Sequence, residues 1–198
     1  VFWDVSASRV SANQKLELKF LRDYLSSIKN VKVELIPFSN VIMEKTDFQI
    51  KNGNTSKLEK ALSNLIYDGG TQLENLDFNV ANGKEILLFT DGISNLGSHQ
   101  LNASKKRIYV INSSVVTDLG LMTTMAQKTK GEFINLTTND YKKSLNNIKK
   151  DQLHFLGFKN ESGLAFRPLD EFQKSDIDER QSLYIELVSR IWDVQRLH

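Results

Sequence analysis

Three short motifs in the sequence offer only carboxylate and hydroxyl oxygens. They are Asp4-Val5-Ser6-Ala7-Ser8, Gly69-Gly70-Thr71 and Thr90-Asp91-Gly92. Such oxygens are hard donors, which suit a small, hard cation such as Mg²⁺. The sequence has no cysteine and its three histidines are scattered, so a thiolate zinc site is excluded and a hard divalent cation is favoured over zinc or copper. The residue types therefore predict one divalent-cation site, provided that the fold brings the motifs together.

The elements between these motifs predict such a fold. Strands are predicted at 1–4, 31–38, 48–50, 85–90, 107–111 and 132–135, and helices are predicted to begin near 13, 55, 73, 117 and 138. Strand–helix alternation through residues 1–150 is typical of an α/β domain with a doubly wound, mostly parallel six-stranded sheet and helices on both faces. Ligands of such sheets lie beyond the carboxyl ends of the strands, near the point where the strand order reverses. The first and third motifs stand at the ends of predicted strands, and the glycine motif precedes the helix predicted near residue 73. We therefore expect all three motifs to meet there.

The pattern changes after residue 150. Residues 151–198 are predicted to be a C-terminal extension, with a short strand at 153–158, an irregular segment and an amphipathic helix at about 178–197. The chain opens inside an apolar strand without a polar lead-in. We therefore expect it to be a piece of a longer parent chain, and the extension to be part of a following module.

Composition excludes several classes of partner. The formal net charge is +2, and no basic run is longer than Lys105-Lys106-Arg107, which argues against a nucleic-acid surface. No apolar run approaches the ~20 residues that a membrane span needs, so membrane insertion is not expected. With 40% apolar and 25% charged residues, the chain reads as an ordinary globular protein.

The three motifs, in this order and spacing, resemble the von Willebrand factor type A domain with its metal-ion-dependent adhesion site. The resemblance covers residues 1 to about 150. It implies a Rossmann-like fold and a site for Mg²⁺, with Mn²⁺ or Ca²⁺ as alternatives. It also implies direct ligation by Ser6, Ser8 and Thr71, while Asp4 and Asp91 act mostly through water.

Further roles follow from the same resemblance. Gly69, Gly70 and Gly92 would support the ligand loops. A Glu or Asp of a protein partner would complete the coordination. Because the direct ligands are mostly neutral, the ion stays electron-poor and attracts that carboxylate. The implied function is cation-dependent protein binding or cell adhesion, without catalysis.

A second resemblance lies at the end of the chain. Residues 189–197, which include Trp192, are similar to the helix that follows the A domain in inter-alpha-trypsin-inhibitor heavy-chain-like proteins. These include bacterial members with a preceding VIT domain. The resemblance implies a multidomain parent at the cell surface or outside the cytoplasm, so other domains of that parent are expected partners.

Several alternatives remain open from the sequence. Asp4, Ser6 and Ser8 could cap the first helix and close the turn between strand and helix. Asp68 and Glu74 are more typical of solvated loop acids than of ligands. The domain could be a structural module of a larger assembly with an incidental metal site.

An enzyme is the remaining alternative. An aspartate after a first parallel strand also occurs in Mg²⁺-dependent phosphohydrolases, but these need a second acid two residues later, where this chain has Ser6.

Overall fold

A six-stranded sheet forms the centre of residues 1–149. The computed structural model describes residues 1–94, 104–149, 158–159 and 166–167. The strands are β1 Phe2–Asp4, β2 Val31–Phe38, β3 Thr46–Ile50, β4 Glu85–Phe89, β5 Arg107–Asn112 and β6 Phe133–Asn135. Their order across the sheet is β3-β2-β1-β4-β5-β6, and every pairing is parallel except that of β3 with β2. The predicted doubly wound α/β fold is confirmed.

Four helices and three 3₁₀ turns connect the strands. The helices are α1 Gln14–Ile28, α2 Ser56–Ser63, α3 Leu119–Lys128 and α4 Tyr141–Asn147. The 3₁₀ turns are Ala7–Ser11, Leu73–Asn75 and Phe78–Val80. Within the described residues, no helix is long and apolar enough to cross a bilayer.

Each face of the sheet carries its own apolar core. Neighbouring strand residues point to opposite faces, so Phe2 and Trp3 belong to different cores. Trp3 packs with residues of α1, α2 and α4, whereas Phe2 packs with α3 and the two 3₁₀ turns that precede β4. Because both faces of the sheet are covered, side chains on both faces of a central strand are buried. The central strands are therefore apolar throughout.

The predicted helix at 73–80 is wrong, because two separate 3₁₀ turns replace it. Leu73, Leu76 and Phe78 are all buried in the same core. In a continuous helix, residues 76 and 78 would point about 200° apart, so both could not face one core. The Asp77 side chain accepts a hydrogen bond from the Asn79 amide and begins the second turn at this break.

Two other predicted helices have different bounds. The spacing of Leu58, Leu62 and Leu65-Ile66 predicts an apolar stripe that continues to Ile66. Helix α2 ends at Ser63 instead, and Ile66 is 82% exposed. The last helix begins at Tyr141 rather than near 138, since Asp140 caps it through a hydrogen bond from the Lys143 amide. In both helices the observed boundary lies within one turn of the predicted boundary. A polar residue stands at each of them, Asn64 after α2 and Asp140 before α4.

The second unit, Lys150–His198, is described only at two short strands. These are β7 Phe158–Lys159 and β8 Phe166–Arg167, which pair antiparallel. The predicted strand at 153–158 lies outside the described residues except for its last position. The predicted helix at 178–197 lies wholly outside them.

Close packing of α3 against β5 gives a stability prediction. A Cβ at Gly131 would lie 1.8 Å from the Ile108 carbonyl oxygen, whereas a Cβ at Gly120 would meet nothing closer than 3.6 Å. Gly131→Ala should therefore destabilise the fold by at least about 2 kcal/mol. The matched change Gly120→Ala, inside α3, should stabilise it by up to about 1 kcal/mol. Urea unfolding of both variants checks this, and equal midpoints would contradict it.

Candidate metal centre

The site begins where two neighbouring parallel strands end. β1 lies between β2 and β4, and the chain leaves β1 toward β2 before it returns to β4, so the strand order reverses between β1 and β4. Asp4 is the last residue of β1 and Thr90 follows the last residue of β4. Their side chains meet through a 2.6 Å hydrogen bond from Thr90 Oγ1 to Asp4 Oδ2. The first and third motifs are therefore in direct contact, as expected at a switch point.

Backbone hydrogen bonds attach the second motif to the first. The Ala7 amide donates to the Gly69 carbonyl oxygen at 2.9 Å, and the Asp68 amide donates to the Val5 carbonyl oxygen at 2.9 Å. These reciprocal bonds hold the glycine loop against the chain that leaves β1. Gly70 and Thr71 follow directly, so Thr71 reaches the same edge of the sheet.

Ser94 joins the second motif to the third. Its hydroxyl donates to the Thr71 carbonyl oxygen at 3.4 Å and accepts from the Leu73 amide at 3.4 Å. Beside it, Gly92 has φ +75°, and a Cβ there would lie 2.9 Å from Met122 and 3.2 Å from the Asp118 carbonyl oxygen. The turn after Asp91 thus requires glycine, for both backbone conformation and space.

All five predicted ligands lie along this edge, and four of them are buried. Asp4, Ser6 and Thr71 are fully buried and Asp91 is 1% exposed, while Ser8 is half-buried. The Ser6 and Ser8 hydroxyl oxygens lie 3.1 Å apart. The structure therefore places the ligands of the first motif side by side, with Ser8 nearest to solvent.

Two of these residues carry buried oxygens without a hydrogen-bond partner. Among the described residues only three buried side-chain polar atoms are unpartnered: Thr71 Oγ1, Asp91 Oδ2 and Arg9 Nε. Buried polar atoms are nearly always satisfied, because an unpaired one costs about 1–3 kcal/mol. All three belong to the predicted site or to the residue next to it. Two of the three are oxygens that could accept a hydrogen bond or ligate a cation, whereas Arg9 Nε is a donor.

The carboxylate of Asp4 sits in an unfavourable environment. Burial raises the pKa of Asp4, although hydrogen bonds from Thr90 and Ser6 and the positive charge of Arg9 act in the opposite direction. A bound divalent cation would offset this desolvation. A proton would compete with the cation for the same group, so acidification would weaken binding.

The first motif does not cap α1, although Asp4 Oδ1 accepts a hydrogen bond from the Ser6 amide at 2.9 Å and so closes the turn that follows β1. The α1 cap is Asn13, whose side chain accepts a hydrogen bond from the Leu16 amide at 3.1 Å. Ser6 stands at the start of the first 3₁₀ turn but makes no side-chain capping bond. The hydroxyls of the first motif are therefore not used as helix caps.

The other acids and metal-ligating residue types do not extend the site. Asp68 accepts a hydrogen bond from the Gly69 amide and Glu74 accepts one from Gln72, as loop acids do. Across the part of the chain that the structure describes, no three His, Cys, Asp or Glu residues gather as a metal cluster. Any cation here would depend on hydroxyl groups beside the two aspartates.

Sequence reasoning missed a buried ion pair next to the site. Arg9 follows Ser8 directly and pairs with Glu17 at 2.6 Å, both side chains being fully buried. A signal was present, because Glu17 stands four residues before Leu21 and eight before Leu25, on the apolar row of α1. A charged residue in such a row needs a buried partner of opposite charge.

Comparison with known proteins gives a fold but no closer relationship. No protein-family model matches the chain, and no curated protein matches it. An aerotolerance-related membrane protein from Bacteroides fragilis, crystallised with multiple mutations to serine, is similar at 13% identity and TM-score 0.56. The similarity covers 76% of this chain and 95% of that one. BatB, a conserved hypothetical protein from Bacteroides thetaiotaomicron, is similar at 14% identity and TM-score 0.50, over 75% and 95%.

A third structure is more distant. The ArnB paralog VWA2 from Sulfolobus acidocaldarius has 18% identity and TM-score 0.41, over 80% of this chain and 46% of that one. A TM-score of 0.41 is too low to bear on the fold. The first two structures share the fold of this chain, and identities this low carry nothing about function.

The unpartnered hydroxyl gives a test of the site itself. Thr71→Val removes an oxygen that has no hydrogen-bond partner among the described residues, so stability in EDTA should stay the same or rise by up to about 2 kcal/mol. The matched change Thr90→Val removes the donor to Asp4 and should cost about 1–3 kcal/mol. Urea unfolding in EDTA measures both. Equal destabilisation by the two changes would show that the Thr71 hydroxyl has a structural partner.

Proposed function

We propose that this chain is a divalent-cation-dependent protein-binding module of the von Willebrand factor type A kind, built on its mostly parallel six-stranded sheet. Mg²⁺ is held by a metal-ion-dependent adhesion site. Ser6, Ser8 and Thr71 ligate the ion, and Asp4 and Asp91 orient its waters. A carboxylate of a protein partner takes the remaining coordination position.

The observation that carries this proposal is the cluster of unpartnered buried oxygens. Thr71 Oγ1 and Asp91 Oδ2 come from loops far apart in sequence, yet both lack partners at the same edge of the sheet. A fold that merely closed its strand ends would have satisfied these atoms or exposed them. A cation with its waters supplies what both oxygens need.

The donor set favours Mg²⁺ among common cations. Two carboxylates balance a divalent charge, and hydroxyls and water complete an oxygen shell. Mn²⁺ prefers similar ligands and is the closest substitute, whereas Ca²⁺ usually takes more ligands than this set offers. The half-buried Ser8 marks the side from which a partner carboxylate could approach.

Apolar residues on the same edge favour a protein partner. Val115 and Val116 follow the carboxyl end of β5 and are 89% and 71% exposed, and the nearby Thr117 hydroxyl donates to the Asp91 carbonyl oxygen. Val10 lies in the 3₁₀ turn after Ser8 and is 64% exposed. Among the described residues, Val41, Met43 and Ile66 on loops and Leu119 at the start of α3 are further exposed large apolar residues. Exposed apolar groups beside a charged anchor are typical of protein-binding surfaces.

The site chemistry argues for binding rather than catalysis. The position two residues after Asp4 carries Ser6, which cannot act as the second acid of a phosphohydrolase. The partner's acidic residue, its apolar neighbours and the cation act together in the proposed interaction.

Calorimetric titration of Mg²⁺ into the wild type and Asp4→Ala tests the cation. The wild type should bind one Mg²⁺ per chain, and Asp4→Ala should bind at least about tenfold more weakly, because one of two charges facing the ion is gone. A thermal melt in EDTA checks that the variant is folded. Absence of Mg²⁺ and Mn²⁺ binding by the wild type would overturn the proposal.

Panning of a phage-displayed random-peptide library on the immobilised protein tests the partner chemistry. Peptides selected in Mg²⁺ should contain Asp or Glu beside apolar residues and should elute with EDTA. The same peptides should fail to bind Asp4→Ala. Selection of peptides that bind equally with EDTA, or equally to Asp4→Ala, would contradict a cation-mediated interaction.

A further inference from the structure

A buried arginine lies directly beside the proposed cation site. Arg9 follows Ser8 in the first loop and is 0% exposed, although arginine is almost never buried without a partner. Its Nη2 donates to Glu17 Oε2 at 2.6 Å, and its Nη1 donates to the Ser114 hydroxyl at 3.1 Å. Its Nε has no partner. A full positive charge is therefore fixed next to residues proposed to hold a cation.

The partners of Arg9 are held in place in turn. The second carboxylate oxygen of Glu17 accepts a 2.8 Å hydrogen bond from the Ser113 hydroxyl. Asn112 accepts from the Ser114 amide at 2.8 Å and donates to the Ser114 carbonyl oxygen at 2.9 Å. All of these side chains are buried. The network joins the first ligand loop, helix α1 and the chain after β5, so Arg9 cannot easily move.

Arg9 interacts electrostatically with both aspartates of the site. Burial acts to lower the pKa of Arg9, but the Glu17 carboxylate and, to a smaller extent, the negative charges of Asp4 and Asp91 raise it. Burial raises the pKa of Asp4, and the charge of Arg9 acts in the opposite direction. The three groups are buried, where charges are poorly screened by solvent. Without compensation, Arg9 would cancel half of the negative charge that a divalent cation requires.

Glu17 supplies that compensation. Asp4, Asp91 and Arg9 together carry one negative charge, and Glu17 brings the group to two. Glu17, a residue of α1, also holds the Arg9 guanidinium through a 2.6 Å ion pair, which is the shortest contact of that guanidinium. Loss of the Glu17 carboxylate would leave the guanidinium free to pair with the aspartates and to compete with the ion.

We propose that Glu17 determines the affinity of the site for divalent cations by neutralising and restraining Arg9. Glu17 is a positioning residue that acts through Arg9 and does not touch the ion. The inference rests on the proposed cation-binding function. It adds a residue outside the adhesion-site motif, on α1, that controls whether the motif can hold its ion.

Calorimetric titration of Mg²⁺ into Glu17→Gln tests the inference. This variant keeps the shape of the side chain but removes its charge, and it should bind Mg²⁺ at least about tenfold more weakly than the wild type. The control is Glu34→Gln, which removes a buried carboxylate on β2 that pairs with Lys45 and accepts from Asn82. Because Glu34 is not part of the network, that variant should bind Mg²⁺ as the wild type does.

The double variant Arg9→Met/Glu17→Met separates charge from structure. It removes both charges with side chains of similar volume, a replacement that buried ion pairs often tolerate. Mg²⁺ affinity should return to within a few-fold of the wild type, because the net charge near the ion is again that of two aspartates. A purely structural role of the pair would leave the double variant at least as weak as Glu17→Gln.

The outcomes are distinguishable. If the wild type binds Mg²⁺ and Glu17→Gln binds equally well, or if the double variant stays as weak as Glu17→Gln, the role of Glu17 is overturned and the cation site stands. If the wild type binds no divalent cation, the proposed cation site and the proposed role of Glu17 are both overturned. If circular dichroism shows Glu17→Gln unfolded, the double variant decides, since a tenfold loss of affinity in a folded double variant would overturn the role.

Discussion

Two carboxylates, Asp4 and Asp91, are buried where neighbouring parallel strands end, and the organisation of this edge depends on them. Each must be offset by hydrogen bonds or by positive charge, because burial of an uncompensated carboxylate is costly. Asp4 has Thr90 and the Ser6 amide as donors, whereas one oxygen of Asp91 has none. The described residues therefore do not fully offset the buried carboxylate of Asp91. We propose that a divalent cation offsets the remaining charge.

The topology explains why the site can be assembled from distant segments. Placing β1 between β2 and β4 makes the loops after β1 and β4 neighbours, although 86 residues separate Asp4 from Thr90. The glycine loop joins them through backbone bonds to the chain after β1. None of these connections depends on the identity of a partner. The scaffold can hold the ligand oxygens in place before an ion arrives, which lowers the ordering cost of binding.

The sequence predicted the strands, and the meeting of three motifs at one edge of the sheet, because these signals are local. Buried parallel strands are continuous apolar runs, and the motifs after them are made of residue types that have few other reasons to occur together. The helix boundaries were less predictable, as at 73–80, because packing against the sheet overrode helical periodicity. The Arg9–Glu17 pair is the most informative omission. Glu17 on the apolar row of α1 indicates a buried partner, but no local pattern identifies Arg9, which is also held by Ser114 from the chain after β5.

The central claim is that three loops form one cation site, and a crystal structure of the wild-type protein with Mn²⁺ tests it most directly. The anomalous difference map should show one strong peak bonded to the hydroxyl oxygens of Ser6, Ser8 and Thr71 at about 2.2 Å, close to the distance for Mg²⁺. Asp4 and Asp91 should lie behind bound waters. A map without a peak at this edge, or with the ion elsewhere in the protein, would contradict the account.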